Sequence, residues 1–149
     1  MNADLSVAPE IAQLAAPFVL PPQSRESTVP HTVGRMAGLL SELAAAPQRW
    51  WDLVRFDPDG PARIPVPGEP GVWLLVLPPG MSVDCDCQQA TALAGEAAEA
   101  AGDPANGGHR PLRPGRVRVH GAGGRHRLHA AGPGYSVTLH VGASSPRSE

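Results

Sequence analysis

Lysine is absent from this chain of 149 residues, and all twelve basic residues are arginine. Together with an abundance of alanine, glycine and proline, that pattern reads as the coding bias of a GC-rich genome rather than a functional device. The fourteen acidic residues leave a formal net charge of −2. No electrostatic reason therefore exists to expect a nucleic-acid or anionic-membrane partner. Aromatics are scarce, six in all, against seventeen glycines and eighteen prolines. This excludes a large aromatic core and favours many short strands and turns. No run of eighteen apolar residues occurs, so no helix is expected to span a bilayer. The apolar patch Ile11–Leu20 has no basic stretch ahead of it, so a secretory signal is not expected. Cysteine is limited to Cys85 and Cys87, two positions apart, which would close no useful loop. On a strand their Cβ atoms share one face but stand too far apart for an unstrained disulfide. A reduced, cytoplasmic protein is the expected setting.

The length suits one domain that buries roughly two thirds of its unfolded surface. Residues 1–27 are rich in Pro, Ser and Ala and read as a flexible arm; residues 28–142 form the domain, and 143–149 a Ser-containing tail. Thr28 and Pro30 are compatible with a helix start. Val33, Met36, Leu40, Leu43 and Ala44 then recur with helical spacing up to Ala46-Pro47, and a second short helix would carry Trp50, Trp51, Leu53 and Val54. Beyond Pro58 strands take over. Arg63–Val66 reads as an edge strand, where proline is tolerated, and Val72–Leu77 as a buried central one. Residues 90–101, rich in Ala and Glu, read as helix on propensity, and Asp103–Arg110 as a loop. The stretch Arg110–Gly142 reads as three strands, with His126 near the start of the second and His140 near the end of the third. Helices followed by short strands predict a mainly β (α+β) fold, a small barrel or sandwich preceded by one or two helices.

Two imidazoles from neighbouring strands can converge on one point, as a metal or thiol site in a barrel requires. Parity places His126 with Leu128 on the interior. His120 alternates with Val117 and Val119 and is expected to face solvent. Parity alone leaves open whether Ser136, Thr138 and His140 or Val137 and Leu139 face the lumen.

Taken in order, Trp51-Asp-Leu-Val-Arg55, Arg63-Ile64, Gly71-Val-Trp-Leu-Leu75, Pro79-Gly80, Leu112-Arg-Pro-Gly115, His126 and Ser136-Val-Thr-Leu-His140 resemble the bacterial cysteine dioxygenase family of cupins. The likeness covers roughly residues 28–142. It implies a cupin jelly-roll barrel holding Fe(II) by three histidines, with O2 adding to the thiol of a small amino acid to give a sulfinate. His126 matches the third iron ligand, and Arg63 the arginine that binds the substrate carboxylate. His140 matches the catalytic histidine preceding the active-site tyrosine, but Gly142 stands in that tyrosine's place. The His-x-His pair that supplies the other two iron ligands is missing. Counting without gaps puts Asp86 and Gln88 at those positions, the register favoured because Gln89-Ala-Thr91 then matches the Gly-x-Ser that follows. A slip of one residue puts Cys85 and Cys87 there, a softer donor set suited to zinc or copper. Three outcomes stay open: an iron thiol dioxygenase with impaired or lost catalysis; a non-catalytic cupin binding a small carboxylated thiol, an amino acid or a protein partner; and a Cys/His zinc-binding cupin.

Overall fold

The computed structural model describes residues 32–101, 108–120 and 125–142. The arm expected over 1–27, the helix start at Thr28 and Pro30, most of the 103–110 loop and the tail from 143 lie outside the described residues.

Helix α1 spans Val33–Ala44. Thr32 caps it: its backbone is extended and its Oγ1 accepts from Arg35 N at 3.2 Å, satisfying a donor the helix leaves unpaired. Met36, Leu40 and Leu43, spaced four and three apart, form the buried stripe, while Val33 at the first turn is exposed. The expected second helix is instead two 3₁₀ turns, Pro47–Arg49 and Trp51–Leu53. Trp50 between them is buried, and its Nε1 donates to Leu43 O at 2.9 Å, taking up a carbonyl at the helix end.

Among the described residues nine strands follow: β1 Ala62–Pro65, β2 Val72–Leu77, β3 Ser82–Cys85, β4 Gln89–Ala94, β5 Ala97–Ala101, β6 Arg110–Leu112, β7 Arg118–Val119, β8 His126–Ala130 and β9 Ser136–Val141. One sheet has the order β1-β2-β9-β4-β7, the other β3-β8-β5-β6, with every pairing antiparallel. With β1 set aside as an added edge strand, the two four-strand orders are those of a jelly roll, two Greek keys wound into facing sheets. The expected mainly β jelly-roll with a preceding helix is therefore the observed fold.

Strand β2 shows why its run is continuously apolar. Val72, Leu74 and Val76 join Val137, Leu139 and Val141 of β9 against the stripe of α1, forming the core outside the barrel. Trp73, Leu75 and Leu77 point the other way, into the lumen, with Leu128, Leu112 and Ala130. Both faces of the strand are buried, so period-two alternation disappears. The same assignment settles the parity of β9, whose polar residues Ser136, Thr138 and His140 face inward.

The helix expected over 90–101 is replaced by β4 and β5. Alanine prefers helix by only about half a kcal/mol per residue, and tertiary pairing outweighs it. β4 is hydrogen-bonded between β9 and β7, and β5 between β8 and β6. Gly95 makes the turn between them at φ +70, where an added Cβ would overlap the carbonyl of Tyr135. Only glycine fits that position.

Candidate metal centre

The lumen residues near one end of the barrel are chemically unlike the rest. Cys85 ends β3 and lies directly opposite His126 across the β3–β8 ladder, so both side chains share the inner face. Two residues on, Cys87 also faces inward. The chain there is pulled onto the other sheet by Gln88, whose N–H donates to Val141 O at 2.9 Å while its carbonyl accepts from His120 N at 2.8 Å. His140, opposite Trp73 on β2 and Ala90 on β4, enters from that second sheet. Cys87, His126 and His140 are almost wholly buried, and Cys85 is only 9% exposed.

Cys87 Sγ sits at the centre of the cluster. It lies 3.2 Å from His140 Nδ1, 3.4 Å from His126 Nε2 and 3.8 Å from His120 Nδ1. Cys85 Sγ is 3.6 Å from His140 Nδ1. Two sets of three donors, Cys85/Cys87/His140 and Cys87/His120/His126, each have all their ligand atoms within 4.8 Å of one another, and they share Cys87.

The surroundings orient the imidazoles. Thr138 Oγ1, two residues from His140 on the same face, lies 2.7 Å from His140 Nε2 and donates its own proton to Leu75 O at 3.4 Å. It therefore accepts from Nε2–H and leaves Nδ1 as a lone pair aimed at the thiols. The His140 ring stacks on Trp73 at 5.6 Å and 12°. His120 is held by Glu99, with Nε2 and Oε2 2.6 Å apart, while Arg118 Nε donates to Glu99 Oε1 at 3.1 Å. The rings of His120 and His126 are parallel, 3.8 Å apart and inclined by 7°. An imidazole lone pair lies in its ring plane, so an ion in the plane of one ring is well out of the plane of the other. His120 thus backs His126 rather than sharing an ion with it; the convergent set is Cys85, Cys87 and His140, and His126 adjoins it through Cys87 Sγ, 3.4 Å away.

The thiols do not titrate independently. A hydrogen bond from Cys87 lowers the Cys85 pKa, helped by His126 and His140 and opposed by burial. The same hydrogen bond, with burial and the charge of Cys85, raises that of Cys87. The pair shares one proton: one thiolate forms readily and the second only when another cation takes the proton's place. Burial works to raise the Glu99 pKa, but the hydrogen bond and charge of His120, with the charge of Arg118, outweigh it and hold the carboxyl below its usual range.

The favoured sequence register does not survive. Asp86 is exposed and Gln88 half-buried, and it is Cys85 and Cys87 that point inward. The cause is the fixed β3–β8 pairing: once His126 faces the lumen, its partner Cys85 must too, and alternation carries Asp86 out. His140, expected behind the metal ligands, is within the cluster itself. His120, expected to face solvent, lies past the end of β7 with a side chain 10% exposed. Arg63 is exposed, its guanidinium 4.0 Å from the ring centre of Trp73, and so reaches the cluster only through the Trp73–His140 stack. Sequence reasoning missed Thr138, Trp73 and Glu99. A lone acid within an alanine strand was the available signal for Glu99, and shared parity with His140 the signal for Thr138.

No protein-family model matches the chain, and no curated protein matches it either. Solved structures do. The TT1209 protein of Thermus thermophilus is 22% identical over 61% of this chain and 91% of its own, with a TM-score of 0.50. A cupin superfamily protein from Desulfitobacterium hafniense DCB-2 is 17% identical over 62% and 87%, with a TM-score of 0.47. The jelly-roll strand order decides the architecture, and the likeness to the Thermus thermophilus structure agrees with it. The chain has a cupin-like jelly-roll fold. Drosophila melanogaster CENP-C, solved bound to CAL1, is 15% identical over 70% of this chain and 96% of its own, with a TM-score of 0.48. Likeness at these identities concerns the fold and not the chemistry.

Proposed function

We propose that this cupin is a metal-binding protein that holds one zinc ion through Cys85, Cys87, His126 and His140. The observation that carries the reading is the spacing of the donors. Zinc–sulfur bonds of about 2.3 Å and zinc–nitrogen bonds of about 2.0–2.1 Å imply sulfur–nitrogen edges of roughly 3.5 Å in a tetrahedron. Three separations match that edge: 3.2 Å from Cys87 to His140, 3.4 Å from Cys87 to His126 and 3.6 Å from Cys85 to His140. Cys85, Cys87 and His140 already converge, and His126 would close on the ion as its fourth ligand. Charge supports the same ion. Two thiolates and two neutral imidazoles are balanced by a dication, giving a neutral group in a buried site, whereas a cuprous ion would leave a net negative charge to be desolvated.

Bound there, the ion would supply a cross-link between the two sheets, since Cys85 and His126 belong to one and His140 to the other. Four protein donors complete a tetrahedron, the arrangement of structural rather than catalytic zinc. The iron dioxygenase chemistry implied by resemblance fits these residues poorly. Thiols stand where two imidazoles belong, glycine stands at 142 in place of the tyrosine, and a filled donor set leaves no position for a thiol substrate and O2.

Elemental analysis of protein purified without added metal tests the reading. About one zinc per chain is expected, lost in the Cys85→Ala/Cys87→Ala variant and retained in Asp86→Ala. Iron in place of zinc, or zinc that survives loss of both cysteines, would overturn it.

A further inference from the structure

Away from the metal centre, the segment from Arg110 to His120 carries four arginines and no acidic residue, in a chain whose net charge is −2. Three of these arginines, Arg113, Arg116 and Arg118, line a cleft of about 260 Å³ together with Pro111, Leu112 and Val117. The cleft lies between β6, an edge strand of one sheet, and β7, an edge strand of the other.

The cleft walls are held in place. Gly115, at φ +74, makes the turn that brings Arg116 N to Arg113 O at 3.2 Å. Thr91 Oγ1 of β4 donates to Arg116 O at 3.0 Å, and Pro114 bridges to Ala92. The turn carrying Arg113 and Arg116 is thereby fastened to the large sheet. Arg118 is positioned by Glu99, which balances its charge. Arg113 and Arg116 have no acidic partner among the described residues. The result is a fixed concave surface with two uncompensated guanidinium groups and a third beside them.

We propose that this cleft binds a small molecule bearing a doubly charged oxyanion, a phosphate group or a dicarboxylate. Guanidinium forks match such groups through paired N–H···O bonds, and a fixed turn lowers the cost of ordering them. The volume suits a compact metabolite rather than a polymer strand. None of the four proposed zinc donors lines the cleft, so this proposal and the zinc reading fail separately. A link between them exists all the same. An anion drawing on Arg118 perturbs Glu99 and, through it, the His120 ring that rests on His126.

The test is isothermal titration calorimetry of the full chain with inorganic phosphate and, separately, with succinate, at fixed ionic strength and pH. Saturable one-to-one binding of at least one is expected, and the tighter binder identifies the oxyanion class. Arg113→Ala/Arg116→Ala should weaken it at least tenfold with unchanged thermal stability, whereas Arg110→Ala, outside the cleft, should leave it within twofold. His120 ring resonances should shift on saturation. No saturable heat with either anion, no effect of the double variant, or an equal loss with Arg110→Ala would overturn the proposal, the last because it would reveal only a diffuse positive field.

Discussion

Replacing Glu99 with glutamine probes the buried polar chain with almost no change of shape. The carboxylate accepts from two donors, Arg118 Nε at 3.1 Å and, across 2.6 Å, His120 Nε2. An amide offers one acceptor and one donor, so one of these partners must face an N–H. Arg118 is 34% exposed and can turn to water, whereas the His120 side chain is 10% exposed and cannot. A buried donor left unsatisfied costs about 1–3 kcal/mol, and hydrogen bonds to charged groups fall at the upper end of that range. The alternative is for His120 to change tautomer and accept from the amide, which places an N–H on Nδ1 facing Cys87 and disturbs the thiol cluster. A loss of about 2 kcal/mol is expected at pH 7. For a domain of this size that is roughly 10 °C in Tm. The pH dependence has a definite sign. Because the folded-state pKa of Glu99 is depressed, its contribution is complete above the unfolded value of about 4.3 and disappears as pH falls through the lower folded value. The gap between wild type and Glu99→Gln should therefore close below about pH 4. Thermal unfolding followed by circular dichroism from pH 7 to pH 3 measures it. Equal Tm values at pH 7, or a gap that persists undiminished at pH 3, would show that the Glu99 carboxylate does not hold His120 in this way.

Thr138→Val keeps the shape of the side chain but removes the acceptor that fixes the His140 tautomer, so zinc affinity measured by chelator competition should fall about 10- to 100-fold; unchanged affinity would remove Thr138 from the site. Gly95→Ala and Gly80→Ala form a matched pair, since both positions have positive φ but only Gly95 has a carbonyl in the way of a Cβ. Gly80→Ala should cost about 1–2 kcal/mol and Gly95→Ala distinctly more in urea unfolding, and equal costs would contradict the steric account. Leu74→Ala empties a fully buried position between α1 and the large sheet, for an expected loss of about 2–5 kcal/mol in the same experiment.

The architecture was legible wherever local pattern and tertiary demand agree. The apolar run Val72–Leu77 is a strand buried on both faces, and His126 with Leu128 shows lumen parity on β8. Agreement failed at 90–101, where weak alanine propensity pointed to helix while one neighbouring strand on each side of β4 and of β5 imposed sheet. The metal cluster was legible in composition but not in register. Asp86/Gln88 and Cys85/Cys87 are exchanged by a slip of one residue, and only the pairing of Cys85 with the distant His126 decides between them. His120 could not be placed for a similar reason. It lies past the two-residue strand β7, and its position follows from Glu99 on the opposite sheet rather than from alternation.

X-ray absorption at the zinc edge of the metal-loaded protein counts the four proposed donors around the ion most directly. Two sulfurs at about 2.3 Å and two imidazole nitrogens at about 2.0–2.1 Å are expected around the ion. One sulfur fewer is expected in Cys85→Ser. A shell of nitrogen and oxygen without sulfur, or one unchanged by Cys85→Ser, would contradict the proposed zinc site.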